Sequence, residues 1–312
     1  MNNITLHKSR KRNRNSLCII LMCVIIGICM AGCTKGKNEK MVIYGGDVLK
    51  YALCYYSTMD YQQSFAIPII SSKKIKSFQF ESLDITGAGE YSVQCSDLYL
   101  EQSYKYKGWN VYWCVLQLGI ENYEKRADFS IDAINFVIND REQKYKTPYF
   151  HIANTKGYNE NIVEDGNDNM LFHGDTDLIY SKIPDDKENP VHTNVSILKK
   201  LKICDFCAFD FLNITNMKVL LSNGTGEVKD EFTKEQMVDY LFKKNDNVLF
   251  AYNLNYKQGI RTFDIVKTSK IILYKNQKKE LCMFADNTGF FINNSENDKN
   301  IKEYIETLPV NK

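Results

Sequence analysis

Residues 129–138 read Phe-Ser-Ile-Asp-Ala-Ile-Asn-Phe-Val-Ile. Their apolar positions fall at every second residue through Phe129, Ile131 and Ala133. They then restart one residue out of phase at Ile134, Phe136 and Ile138. A period of two places alternate side chains on one face of a strand, whereas a helix would repeat at three and four. A slip of one residue inside such a run is what a β-bulge produces, because the extra residue turns the rest of the strand over. Upstream, Val111 to Leu118 (Val-Tyr-Trp-Cys-Val-Leu-Gln-Leu) is apolar on both alternating faces, the pattern of a strand covered on both sides.

Working outward, β patterns dominate the first half. Val42-Ile43-Tyr44, Leu49 to Tyr56 and Phe65 to Ile70 are apolar and aromatic, and Pro68 marks an edge or a bend. Ile75, Phe78 and Phe80 lead to Leu83 and Ile85, Gly87-Ala88-Gly89 reads as a turn, and Tyr91 to Leu100 and Tyr145 to Ile152 resume the strand pattern. Seven or more short strands at this spacing predict an antiparallel, immunoglobulin-like β-sandwich over residues 41–156. Cys95 and Trp109 have a separation suited to that fold, but no cysteine follows where the partner should be. The expectation is therefore the architecture and not the family.

Residues 157–193 are polar, with Gly166, Gly174, Pro184 and Pro190, and read as a linker or insertion holding one short strand at Met170-Leu171-Phe172. Residues 194–312 then predict a smaller, β-rich α+β region with two short helices. Val195 to Leu221 is apolar, and Asn223-Gly224 is a hairpin signal. Thr233 with Gln236 forms a capping box, after which Met237, Tyr240 and Leu241 share one helix face. Strands are expected at Asn247 to Leu254, Thr262 to Tyr274, Lys279 to Phe284 and Phe290-Phe291-Ile292. Ile301, Tyr304, Ile305 and Leu308 form the core-facing stripe of a closing helix that Pro309 stops. About 280 residues suit one large or two ordinary domains.

The N-terminus has a different character. Lys8, Arg10, Lys11, Arg12 and Arg14 are followed by an apolar run from Leu17 to Ala31, with no acidic residue before Glu39. Fifteen helical residues span about 22 Å, short of a ~30 Å hydrocarbon core. That length fits a signal peptide over residues 1–32 better than a permanent membrane helix. The run ends in Met30-Ala31-Gly32-Cys33, which resembles the lipobox of bacterial lipoproteins: an aliphatic residue, two small residues, then the cysteine. Met30 stands where that family more often has Leu. The resemblance covers only the export segment. It implies cleavage before Cys33, a diacylglycerol with palmitate-type chains on the Cys33 thiol, and residues 33–40 as a polar tether. It also implies a location at the cell membrane, lipid-anchored on the extracytoplasmic face.

Removing the five basic residues of that segment takes 40 Lys+Arg to 35, against 38 Asp+Glu. A near-neutral body without a clustered basic stripe carries no electrostatic footprint for nucleic acid. Cys18, Cys23 and Cys29 leave with the signal peptide. The six that remain besides Cys33 permit disulfides in an exported chain without demanding them.

Few residue sets carry chemistry. Cys204-Asp-Phe-Cys207 has redox or zinc spacing, but it lies in a strand pattern and lacks further ligands. Asp165, Asn167 and Asn169 are weak calcium candidates in an acidic loop: counting from Asp165, the EF-hand glycine and glutamate positions hold Met170 and Thr176. No nucleophile elbow, phosphate loop or zinc-protease motif is present, so neither a cofactor nor an enzymatic activity is expected. Tyr104, Tyr106 and Trp109 occupy a stretch that reads as a loop and are the expected ligand contacts, through stacking. The reading is a non-enzymatic binding or interaction module at the cell envelope, anchored by lipid and facing envelope glycan, a peptide or a partner protein. The alternative is an exported hydrolase acting on cell-wall glycan or peptide.

Overall fold

The computed structural model describes residues 40–58, 61–164, 169–172, 191–222, 228–292 and 297–309. The chain is mainly β, as expected. In order come β1 (Ile43–Tyr44), a 3-10 turn (Gly46–Val48), β2 (Leu49–Tyr55), β3 (Tyr61–Ser71), β4 (Phe78–Tyr106), β5 (Trp109–Ile138), β6 (Arg141–Lys146) and β7 (Phe150–Asn154). Helix α1 (Thr155–Tyr158), β8 (Met170–Phe172), β9 (Val191–Ile197), β10 (Lys202–Ala208), β11 (Leu212–Ser222) and β12 (Val228–Thr233) follow. Helix α2 (Lys234–Met237), β13 (Asn247–Tyr256), β14 (Ile265–Lys275), β15 (Leu281–Ile292) and helix α3 (Asn297–Thr307) complete the described chain.

Strands β4 and β5 form one hairpin of 29 and 30 residues. Fully extended, each would reach about 95 Å, and the hairpin turns a corner instead. Gly89 pairs with Ala127 and Tyr91 with Asn122, so four residues of β5 stand opposite one of β4. At the corner Gly87 and Gly89 have φ of 142° and 136°. A Cβ on Gly89 would lie 2.2 Å from the Arg126 carbonyl oxygen, so only glycine fits there. The bulge expected within residues 129–138 is present: Asp84 pairs with Ala133 and Ile85 with Ile131, leaving Asp132 over.

One arm of β5 pairs with β3, and the other pairs with β7 and β6. Folding the arms together brings Phe65 of β3 onto Tyr51 of β2 and Phe150 of β7, with ring centroids 4.8–5.7 Å apart. Buried aliphatic residues such as Ile67, Leu116 and Ile131 are also fully covered.

The topology differs at β2 from the antiparallel sandwich expected for residues 41–156. Strand β2 pairs in parallel with β7 on one side and β14 on the other, making the ten-stranded sheet mixed. All seven β2 residues are buried, as suits a central strand beside parallel neighbours. The β2–β14 pairing also carries this sheet from residues 41–156 into residues 194–312, so the two regions share it.

The second sheet, in the order β12-β11-β13-β9-β8, packs on the β10–β14–β15 part of the first. Val195, Val219, Val248, Phe250 and Tyr252 meet Ile203, Phe206, Val266, Ile272 and Cys282 in that core. The expected capping box forms at α2, with Thr233 and Gln236 each bonding the other's backbone N–H. Helix α3 buries Ile301, Tyr304 and Ile305, while Leu308 is half-buried.

Candidate functional site

A charged concave feature lies where β10 begins and the β14–β15 hairpin turns. A cavity of about 650 Å³ is lined by Lys200, Leu201, Lys202, Leu241, Lys275, Asn276, Gln277 and Lys279. Two devices shape it. Leu201 and Phe242 exchange backbone hydrogen bonds of 3.0 and 3.2 Å, clamping the segment after α2 against the start of β10. Asn276 organises the hairpin turn: its Oδ1 accepts from the N–H groups of Lys278 and Glu280, both at 3.0 Å. Lys279 takes φ of 64° there.

Charge in this cavity is unbalanced. Lys202 and Lys275 are directly opposite each other in the β10–β14 register, an arrangement that is destabilising for like charges. Lys202 has Asp239 at 3.5 Å, a carboxylate that is 89% exposed. The adjacent Glu280 carboxylate accepts from the Asn276 amide at 2.8 Å and so is drawn away from the lysines. Among the described residues, Lys200, Lys275 and Lys279 have no carboxylate partner. Leu241, expected on the buried face of a helix, is instead 46% exposed beside them. The four-residue α2 ends at Met237, so Leu241 lies past the helix and its periodicity does not apply. The sequence concealed this cluster because its lysines come from two segments some 75 positions apart.

At a second charged site the cations and anions are paired around a buried centre. The Lys50 ammonium donates to the Asp47 carbonyl at 2.6 Å, stands 3.7 Å from Asp264 Oδ2 and lies 3.6 Å from the centre of the Tyr149 ring. Arg261 donates to Asp264 through Nε at 3.0 Å and Nη2 at 2.8 Å, and its Nη2 also reaches the Asp47 carbonyl at 2.8 Å. Tyr304 of α3 donates to Asp47 Oδ1 at 2.5 Å. Burial pushes the Lys50 ammonium down to about 8, against the raising influence of Asp264. A shifted lysine can mark a catalytic site. Here Asp264 is fully buried and Lys50 nearly so, and the charges face one another, so the cluster fastens the 3-10 turn and α3 to the sheet.

The aromatic residues expected to contact a ligand are engaged within the chain. Lys107-Gly108, with φ of 46° and 83°, makes a two-residue turn between β4 and β5, so the stretch is a hairpin tip instead of a loop. Tyr104 donates to the Asp298 carbonyl at 3.2 Å, and Tyr106 to Glu306 at 2.8 Å, both on α3. Trp109 is buried and meets Tyr44 edge-on at 5.4 Å. The Tyr-Lys-Tyr-Lys alternation has the period of a strand, which identifies the hairpin in retrospect.

Of the calcium candidates, Asp165 and Asn167 lie outside the described residues. Asn169 is buried, and its carbonyl accepts from Leu198 N–H at 2.8 Å, a structural role. Among the described residues, no group of three or more His, Cys, Asp or Glu could hold a metal ion. Cys54, Cys95, Cys114, Cys204, Cys207 and Cys282 are free thiols. Cys204 falls at an irregularity between Ile203 and Asp205, and Cys207 pairs with Ile271. Burial raises the Cys54 and Cys114 thiols, the latter to about 12, which leaves them protonated and unreactive at neutral pH.

Folding does assemble one set that sequence spacing could not show. His151 Nε2 is 2.8 Å from Asp128 Oδ1, and Ser130 pairs directly opposite His151. The three therefore project from one face. Among the described residues Asp128 is the hydrogen-bond partner of the imidazole; Ser130 makes no bond to it. No protein-family model matches the chain, and no curated protein matches it either.

Proposed function

We propose that this chain is an extracytoplasmic lipoprotein, anchored at the cell membrane through Cys33, that works at the envelope by binding. The lysine-lined cavity is the observation that carries the binding part. A folded chain gains nothing from two lysines facing each other across adjacent strands, and a ligand that brings negative charge would relieve that cost. The lipobox-like Met30-Ala31-Gly32-Cys33 supports the anchor. Confinement at a membrane surface raises the effective concentration of any ligand there, so modest affinity suffices.

Two measurements test this reading. Cys33→Ser should block lipidation and leave an unprocessed precursor; normal processing with release from the membrane fraction would overturn the anchor. The full chain in detergent micelles should retain material from envelope extract. If it retains nothing while a hydrolase screen shows turnover, the binding reading fails.

The Ser130, His151 and Asp128 arrangement favours the second reading, an exported hydrolase of cell-wall glycan or peptide. It needs the imidazole to swing onto Ser130, since a serine becomes nucleophilic only when a base takes its proton. Turnover abolished by Ser130→Ala would establish that reading, and turnover indifferent to it would remove it.

A further inference from the structure

We infer that the cavity between the start of β10 and the β14–β15 turn takes a linear polyanion carrying repeated phosphate groups. This rests on the binding-module reading and names its ligand class.

Four lysines, Lys200, Lys202, Lys275 and Lys279, line one concavity. Among the described residues the cavity's one ion pair joins Lys202 to the exposed Asp239, while Glu280 is turned toward Asn276. An uncompensated cluster of this kind calls for an anion of more than one charge. All the cations are lysines. Arginine presents a planar fork that matches a carboxylate or a phosphate at two points, whereas lysine is a compact point charge with rotatable donors that fixes no single geometry. Lysine binds phosphate as a point charge, and several on one concavity suit an anion with more than one charged group.

The lining also narrows the ligand's other half. The apolar lining comes from the exposed Leu241 with the buried Leu201 behind it, and none of the lining side chains is aromatic. Nucleobases and sugar faces are held by stacking on aromatic rings, so the segment between phosphates is recognised by length and charge alone. A cavity of about 650 Å³ exceeds what one phosphate fills and accommodates a length of chain. Its concavity distinguishes it from a flat basic face suited to a bilayer plane.

The probe is short-chain inorganic polyphosphate, titrated against the full chain in non-ionic detergent micelles. Binding should weaken with salt, with a log–log slope on the order of −3 for four lysines. Combined Lys200→Gln, Lys275→Gln and Lys279→Gln should weaken it at least tenfold and flatten that slope, while leaving the thermal unfolding midpoint in place. Lys105→Gln with Lys229→Gln, on β4 and β12, should leave binding unchanged. Equal binding by the triple variant and the wild type would overturn the inference. So would displacement of polyphosphate by monomeric short-chain phosphatidylglycerol at equal or lower phosphate concentration, which would assign the cavity to lipid headgroups. Inorganic phosphate alone should compete only weakly; competition as strong as the polymer's would reduce the site to a single anion and overturn the polyanion.

Envelope capture separates this failure from failure of the broader reading. If the triple variant captures envelope material as well as the wild type, the module stands and the cavity assignment falls. If the wild type captures nothing yet binds polyphosphate, the cavity assignment stands and the envelope function falls.

Discussion

Lys50 and the lysines of the β10–β14–β15 cavity show the same side chain in opposite settings. Around Lys50 the cations and anions are closed on one another: Lys50, Arg261, Asp47 and Asp264 satisfy each other, with Tyr304 and Tyr149 covering them. In the cavity, Lys202 faces Lys275 and carboxylates are few. The buried pair at the centre of the first site, Lys50 with Asp264, is costly to break, and the half-exposed Asp47 and Arg261 are already satisfied by it and by each other. Exposed unpaired lysines add little to stability and keep their charge available. A perturbed pKa points to the first site; the unbalanced charge points to the second, where Lys200, Lys275 and Lys279 are left without carboxylate partners among the described residues.

Breaking the closed site should produce the largest effect. Asp264 is completely buried and accepts from Arg261 while facing Lys50. Asp264→Ala leaves the Lys50 ammonium buried without its main counter-charge, and should cost about 3–5 kcal/mol in denaturant unfolding. A loss below about 1 kcal/mol would mean that water enters the cluster and that it is not closed. Tyr304→Phe removes one hydrogen bond to a carboxylate that Arg261 also serves, and should cost about 1 kcal/mol by the same measurement.

The fold and the sites were legible to different degrees, for a physical reason. Strand patterns, the bulge near Asp132, the Thr233–Gln236 box and the α3 stripe are local, since periodicity and capping act within a few residues. Strand pairing is not local. Leu49 to Tyr55 reads as an apolar run, but nothing in that run says that β7 and β14 flank it in parallel, or that Gly87 and Gly89 turn a corner within one hairpin. The lysine cavity, the Lys50 cluster and the Ser130–His151 pairing all join residues from distant segments. The aromatic stretch Tyr104 to Trp109 is conspicuous by residue type, but its links from Tyr104 and Tyr106 to α3 and from Trp109 to Tyr44 join distant segments that no local pattern shows.

The pH dependence of stability sharpens the contrast. The folded chain releases the Lys50 proton near pH 8, whereas an unfolded lysine holds it to about 10.5. Between those values the unfolded state binds more protons, so this group makes stability rise with pH; below about 8 its contribution is flat. Tyrosines and thiols whose pKa burial raises act in the opposite sense at the top of the window. The informative quantity is therefore the difference between wild type and Lys50→Met. Lys50→Met should change stability at pH 7 by no more than about 1 kcal/mol, because Asp264 keeps its two bonds from Arg261 while a charge whose burial is unfavourable is removed. Wild type should then gain on the variant from pH 8 to 10. Parallel curves would show that the ammonium is solvated and that the two lysine settings are alike.

The smallest effect belongs to the open site, and there the sign matters more than the size. Lys275 is exposed and faces Lys202 across the β10–β14 ladder. Lys275→Gln removes a like-charge contact and little else, so the change in stability should stay within about 0.5 kcal/mol. At low ionic strength that change should be a gain. Raising salt to 1 M shortens the screening length to about 3 Å and should erase it. A loss of stability, or a gain indifferent to salt, would mean that Lys275 has a compensating partner. The cavity would then be a second closed cluster like that of Lys50, and the unbalanced charge that recommends it for an anionic ligand would not exist.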